Sequence, residues 1–136
     1  MKLQVGVKVL IKNSANEYLF MRRSTLMATD GNETSWDIPG GRIEPDEALL
    51  EALKREVKEE VGHDMQSVPE LIAAQDIFVP AKDLHVVRLT YALEEDVPEA
   101  RLSDEHDEYM WVGRENLGSV AAEPYLAEVL QGIAEA

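Results

Sequence analysis

The sequence predicts an α/β fold, because strand-like and helix-like patterns share one short chain. Residues 3–11 alternate apolar and polar side chains, which is the period of a half-buried strand. Residues 46–61 repeat apolar side chains at helical spacing, and residues 124–133 do the same. The apolar stripe of the first helix consists of Leu50, Leu53, Val57 and Val61. We therefore expect a sheet accompanied by two amphipathic helices.

Turn-forming residues separate the other predicted elements. Pro45 and Asp46 are start signals for the first helix, and Gly62 is a stop signal. Residues 24–35 are polar and are expected to form a loop. Since no linker, repeat or low-complexity tract interrupts the chain, we expect one domain over residues 1–136. Further strands are expected at residues 18–22, 70–79, 84–93 and 109–112.

The chain is strongly acidic, with 27 acidic and 13 basic side chains in 136 residues and a net charge of −14. This charge disfavours nucleic-acid polymers and anionic membranes as partners, because their phosphates would be repelled. A small phosphorylated ligand remains compatible with it if bound cations neutralise the site. Residues 44–60 carry seven acids and three bases, and residues 94–108 carry eight acids and one base. The acidity is thus concentrated in two segments.

The chain contains no cysteine. Disulfides, thiolate metal sites and a cysteine nucleophile are therefore excluded. The N-terminal residues alternate instead of forming the apolar run of a signal peptide, and no stretch approaches the length of a membrane helix. We expect a cytoplasmic protein.

Three carboxylates crowd one face of the helix predicted at residues 46–61. At 100° per residue, Glu56 and Glu60 lie about 40° apart, and Glu59 lies about 60° to the other side of Glu56. Like charges at this spacing repel each other. Two explanations stay open at this point. The glutamates bind a hard divalent cation, or they form a solvated face that is balanced by Lys54, Arg55 and Lys58.

The residues around this helix have the spacing of a known motif. The pattern resembles the Nudix box of the Nudix hydrolase family, G-x5-E-x7-R-E-U-x-E-E-x-G-U with U aliphatic, over 23 of the 136 residues. Val57 satisfies the first aliphatic position, and His63 departs from the last, which is normally a packing position. The matching fixed positions are Gly41, Glu47, Arg55, Glu56, Glu59, Glu60 and Gly62.

This resemblance implies an α/β/α sandwich with a mixed β-sheet and a loop–helix–loop that carries the box. It also implies hydrolysis of a pyrophosphate bond in a nucleoside diphosphate linked to a group X, such as a (d)NTP or a related nucleotide. Mg²⁺ or Mn²⁺ would assist the attack of water on phosphorus. A non-catalytic nucleotide-sensing module is the alternative. A Nudix-fold isomerase of isoprenyl diphosphates is disfavoured, because that class generally carries a cysteine.

The resemblance also implies roles for individual residues. Glu56, Glu59 and Glu60 match metal-binding carboxylates, and the carbonyl of Gly40 matches a main-chain metal ligand. We favour Glu56 and Glu60 most, because their i, i+4 spacing lets both point at one ion. Glu47 and Arg55 match an ion pair that orients the loop and the carboxylates. Dimers are common in this fold, so a homodimer is among the expected forms.

The general base and the substrate contacts lie partly outside the box. The base is either a box glutamate, Glu56 or Glu59, or it is Glu105, six residues before Trp111. The resemblance implies that Glu105 is an additional metal ligand or a base. Arg23 at the end of a predicted strand is expected to contact a substrate phosphate. We expect His106 to be an exposed loop histidine without a catalytic role. The loops at 24–35 and 94–108 are expected to set the substrate specificity.

Overall fold

The computed structural model describes residues 1–23 and 35–136. Most of the loop predicted at residues 24–35 thus lies outside the described residues. The two helices are α1 (Leu49–Val61) and α2 (Pro124–Glu135), and neither is long and apolar enough to cross a membrane. Short 3-10 helices occupy Pro80–Lys82 and Arg114–Ser119. The strands are β1 (Lys2–Lys12), β2 (Glu17–Arg23), β3 (Trp36–Asp37), β4 (Gly40–Arg42), β5 (Glu70–Val79), β6 (Leu84–Glu94) and β7 (His106–Gly113).

The seven strands form one mixed sheet in the order β3-β2-β1-β6-β5, with β4 paired to β1 and β7 paired to β2. Strands β1 and β6 run parallel along their whole length, from Lys2 opposite Leu84 to Lys12 opposite Glu94. All other pairs are antiparallel. This topology brings β4, which starts the box motif, directly against the middle of β1. It also brings β7 against β2.

The sheet is covered by a helix on each face, which confirms the predicted sandwich. Alternate residues of β1 and β2 point to opposite faces, as the period of a strand requires. Val7, Val9 and Ile11 are fully buried beneath α1, while Leu10 and Phe20 are fully buried on the side of α2. The buried part of the α1 stripe consists of Leu53, Val57 and Val61.

Helix α1 begins three residues later than its sequence pattern predicts. Asp46 has a left-handed backbone conformation with φ 65°, which a right-handed helix does not accommodate. The N–H of Glu47 donates to the carbonyl of Glu44 at 3.1 Å, so these residues form a turn before the helix. The predicted end is confirmed. Gly62 has φ 67° and donates its N–H to the carbonyl of Lys58 at 3.0 Å.

Strand β7 begins at His106 instead of residue 109. The acidic composition of this segment disfavours a strand, but its partner strand carries the compensating charge. Arg22 of β2 contacts Asp107 at 3.1 Å and Glu108 at 3.0 Å. The start of β7 is therefore stabilised by cross-strand ion pairs and by the β2–β7 ladder.

His63, which departs from the aliphatic pattern of the box, makes a polar contact after α1. Its Nε2 contacts the carboxylate of Glu95, which also accepts the N–H groups of Gln66 at 3.0 Å and Ser67 at 2.7 Å. Burial acts to raise the pKa of Glu95, but these contacts outweigh it and hold the pKa below its usual range. A hydrogen-bonded carboxylate thus replaces the expected apolar contact and ties the turn after α1 to the end of β6.

Two glycine substitutions should change stability in opposite directions. Gly62→Ala places a Cβ 2.9 Å from Cβ of Arg101 at a left-handed position. It should lower the free energy of unfolding by about 1–2 kcal/mol. Gly132→Ala in α2 meets no described heavy atom within 4 Å. It should raise that free energy by up to about 1 kcal/mol, because alanine loses less backbone entropy. Urea denaturation measures both free energies of unfolding. Equal values for the two variants would contradict the requirement for glycine at the left-handed end of α1.

Candidate active site

The site begins where β4 passes between β1 and the glutamate face of α1. Gly40 and Gly41 pair with Lys8 and Val7 of β1. A Cβ at residue 40 would lie 2.0 Å from the carbonyl oxygen of Val7, and one at residue 41 would lie 2.6 Å from Oε1 of Glu56. Residue 40 therefore has to lack a side chain for β4 to lie against β1, and a side chain at residue 41 would displace the Glu56 carboxylate.

Glu60 is the buried centre of this region, with 6% of its surface exposed. Its Oε1 accepts a hydrogen bond of 2.8 Å from the N–H of Gly40. Burial is the main cause that raises the pKa of Glu60 to about 8, and the charge of Glu56 adds to it, against the opposing effects of the Gly40 N–H and the Lys8 ammonium. A bound cation would offset the repulsion between these two carboxylates. The donor set fits Mg²⁺ or Mn²⁺.

Arg55 contacts three other glutamates of the box, namely Glu47, Glu56 and Glu59. Its Nε and Nη2 donate to the two carboxylate oxygens of Glu47 at 2.8 and 3.0 Å, which is a bidentate contact. Its Nη1 donates to Glu56 at 2.9 Å and lies 3.5 Å from Glu59. The Arg55 guanidinium lowers the pKa of Glu47 to about 2. These contacts fix the orientation of the Glu56 carboxylate.

Glu59 and Gly40 occupy different positions relative to this pair. The side chain of Glu59 is 58% exposed and lies at the outer edge of the cluster. Gly40 contacts Glu60 through its N–H, so the role of its carbonyl as a metal ligand stays a prediction.

A cavity of about 210 Å³ lies on the open side of Glu60. It brings Arg23 and Glu105, both singled out from the sequence, close to the box glutamate. Single ligand atoms of Glu60, Glu105 and His106 all lie within 4.8 Å of one another. The lining residues are Lys8, Arg23, Asp37, Gly40, Glu60, Glu105 and His106.

The two arginines at the end of β2 have different surroundings. Arg22 is held by the acids of β7, whereas Arg23 lines the cavity. Sequence reasoning missed Lys8, whose Nζ lies 2.8 Å from the carboxylate of Asp37. The available signal was weak, because Lys8 takes a polar position of an alternating strand. Its neighbours in the chain are apolar, and a lysine is rarely buried without a partner. The cavity therefore contains two cationic side chains in addition to the carboxylates.

The expectation that His106 is an exposed histidine is wrong. Its side chain is 8% exposed, and its Nδ1 lies 3.9 Å from Oε2 of Glu60. The residue pairs with Arg23 at the start of β7, and the register of the two strands shifts between Arg22 and Arg23. Because of this shift, simple alternation along β7 does not predict the direction of the side chain. Burial is the main cause that lowers the pKa of His106.

Comparison with known proteins identifies relatives of the whole chain. The family model of the NUDIX domain matches residues 2–132. The crystal structure of the MutT protein from Methanosarcina mazei Go1 is 30% identical, with a TM-score of 0.83 over 98% of this chain and 94% of that one. The solution structure of the Escherichia coli ORF135 protein has the same fold, with a TM-score of 0.80 over 96% of this chain and 88% of that one, at 23% identity.

A curated relative has a more restricted match. Nucleoside triphosphatase NudI from Escherichia coli O17:K52:H18 is 28% identical over 90 residues, which are 60% of this chain and 64% of that protein. The match thus spans less than two thirds of this relative. The family model, in contrast, covers nearly all of the sequence, including the box glutamates and the strands that position them. The resemblance inferred from the box is therefore confirmed, and this chain belongs to the Nudix family.

Proposed function

We propose that this protein is a divalent-metal-dependent pyrophosphohydrolase. It cleaves a pyrophosphate bond in a nucleoside diphosphate linked to a group X, with (d)NTPs or related nucleotides as its substrate class. The observation that carries this proposal is the buried Glu60, which lies next to the half-buried Glu56 and lines a cavity together with Arg23. Carboxylates for a cation and a guanidinium for a phosphate chain thus occur within one small volume.

The carboxylates are assigned to the cation and Arg23 to the substrate, because the ammonium of Lys8 is already paired with Asp37. Glu56, Glu59 and Glu60, together with the carbonyl of Gly40, would hold Mg²⁺ or Mn²⁺. When bound, such a cation supplies positive charge that offsets the repulsion between a phosphate chain and an incoming water. Glu47 and Arg55 keep the Glu56 carboxylate in one orientation through the contacts described above.

Arg23 and Glu105, which also line the cavity, are assigned to the substrate and to the attacking water. The guanidinium of Arg23 can donate two hydrogen bonds to phosphate oxygens, which fixes the position of the substrate. Glu105 is exposed at the cavity and close to Glu60, where it can accept a proton from water or contribute an oxygen to the cation. A box glutamate, Glu56 or Glu59, is the alternative proton acceptor.

A panel of substrates tests the proposal against the alternative of a nucleotide sensor. The protein is incubated with Mg²⁺ or Mn²⁺ and with NTPs, dNTPs, oxidised dNTPs, ADP-ribose, nucleotide sugars and dinucleoside polyphosphates. Triphosphorylated RNA is added as a polymer control, because a net charge of −14 disfavours it. Phosphate is measured after treatment with phosphatase or pyrophosphatase. We expect turnover of at least one small nucleotide, whereas binding without turnover across the panel would favour a sensor.

Glu60→Gln should lower kcat strongly while the protein still folds. Mutation of a residue that only orients a metal ligand lowers activity or metal affinity about 10–100-fold. Loss of a ligand itself should therefore lower kcat at least about 100-fold. The amide oxygen of glutamine can still accept the hydrogen bond from Gly40. Steady-state kinetics on the best substrate of the panel and circular dichroism measure the two effects.

Glu51→Gln is the matched control for this substitution. Glu51 lies on the same helix, its side chain is 66% exposed, and its only described ion pair is the 3.9 Å contact with Lys54. It should leave kcat unchanged. Wild-type rates in the Glu60 variant would contradict its role as a metal ligand.

Arg55→Lys should weaken metal binding although it keeps the charge. A single ammonium group cannot make the bidentate contact with Glu47 and also contact Glu56. We expect the dissociation constant for Mg²⁺ to rise by about 10–100-fold, as for other residues that orient metal ligands. Isothermal titration calorimetry measures it. Arg101→Lys is the control, because the side chain of Arg101 is 75% exposed. Equal Mg²⁺ affinity in both variants would exclude the orienting role of Arg55.

A further inference from the structure

We propose that His106 is a nitrogen ligand of the divalent cation, which it binds together with Glu60 and Glu105. The inference rests on the proposed function only in that it requires a cation to bind at Glu60. It adds a residue outside the box to the ligand set. It also predicts a preference among divalent metals.

The first argument is that His106 is buried with an unused nitrogen. Its side chain is 8% exposed, and among residues 1–23 and 35–136 its Nδ1 has no hydrogen-bond partner. A buried polar group without a partner is destabilising, and the great majority of such groups have one. A bound ion would provide the missing partner.

The second argument is the distance between His106 and Glu60. Nδ1 of His106 lies 3.9 Å from Oε2 of Glu60, which is too long for a hydrogen bond. Two ligand atoms on one small divalent ion, each about 2.1 Å from it, lie at most about 4.2 Å apart. The observed distance lies below this limit. Adjacent ligands of an octahedral ion lie about 3.0 Å apart, so the two side chains would move about 1 Å towards each other on binding one ion.

Glu105, the residue before His106, is the third member of the proposed ligand set. One ligand atom from each of Glu60, Glu105 and His106 lies within 4.8 Å of the other two. Glu105 is exposed, so rotation of its side chain can close the remaining gap without disturbing the core. The neighbouring ammonium of Lys8 contacts Asp37 at 2.8 Å, so its charge is already partnered.

The chemistry of the proposed ligand distinguishes between the two candidate metals. Imidazole nitrogen suits later transition metals best, and Mn²⁺, which is itself a transition metal, accepts it more readily than Mg²⁺, which favours oxygen ligands and water. His106 should therefore strengthen the binding of Mn²⁺ more than that of Mg²⁺. His106→Leu should weaken Mn²⁺ binding about 10-fold or more and change Mg²⁺ binding much less.

Pulsed electron paramagnetic resonance of the Mn²⁺-loaded protein, without nucleotide, tests the proposal directly. We expect an imidazole ¹⁴N coupling in the wild-type protein and its replacement by a ¹⁵N coupling after labelling with ¹⁵N-histidine. This measurement needs no variant to fold. The coupling should disappear in His106→Leu and persist in His85→Asn, where the altered histidine lies in the β5–β6 hairpin and contacts Asp76 at 2.8 Å.

The outcomes separate this inference from the proposed function. Mn²⁺ bound without a histidine nitrogen coupling, or a coupling that persists in folded His106→Leu, overturns the inference and leaves the pyrophosphohydrolase proposal standing. Absence of any Mn²⁺ or Mg²⁺ binding by calorimetry overturns both.

Discussion

The candidate site depends on one buried carboxylate. Glu60 is removed from water, accepts the N–H of Gly40 and lies beside the like-charged Glu56. A buried carboxylate next to a half-buried one is unfavourable unless a proton or a cation is shared between them. The fold nevertheless keeps them together, because Gly40 and Gly41 allow β4 to lie against β1 and α1 at once. The arrangement is therefore well suited to a cation.

The sheet topology supplies the remaining groups from distant parts of the sequence. Pairing of β4 with β1 places the box loop next to Lys8, and pairing of β7 with β2 places His106 opposite Arg23. The cross-strand contacts of Arg22 with the acids of β7 hold this second pair of strands in register. The helix thus contributes the carboxylate of Glu60 to the cavity, and the strands contribute both basic and acidic side chains. The acidic segment at 94–108, which is one of the two sources of the net charge, reaches the cavity with Glu105 and His106.

The helical part of the site could be predicted from the sequence because its spacing is local. Fixed intervals within one helix determine which side chains share a face, so the proximity of Glu56 and Glu60 was expected. The contact between Arg55 and Glu47, which precedes the helix, was expected only from the resemblance to the Nudix box. Lys8 and His106 were not, because their positions depend on strand pairing over long distances and on a register shift. The start of α1 was also missed, since the left-handed conformation of Asp46 is not visible in the helical pattern.

The thermal stability of the metal-free protein with and without Mg²⁺ or Mn²⁺ tests the central claim most directly. Binding to the folded state alone stabilises by about 2.7 kcal/mol when the cation is present at 100 times its dissociation constant. The Tm of the wild-type protein should therefore rise with millimolar cation, and this rise should be lost in Glu60→Gln but kept in Glu51→Gln. A wild-type Tm that is indifferent to both cations would contradict the assignment of Glu60 and Glu56 to a metal site.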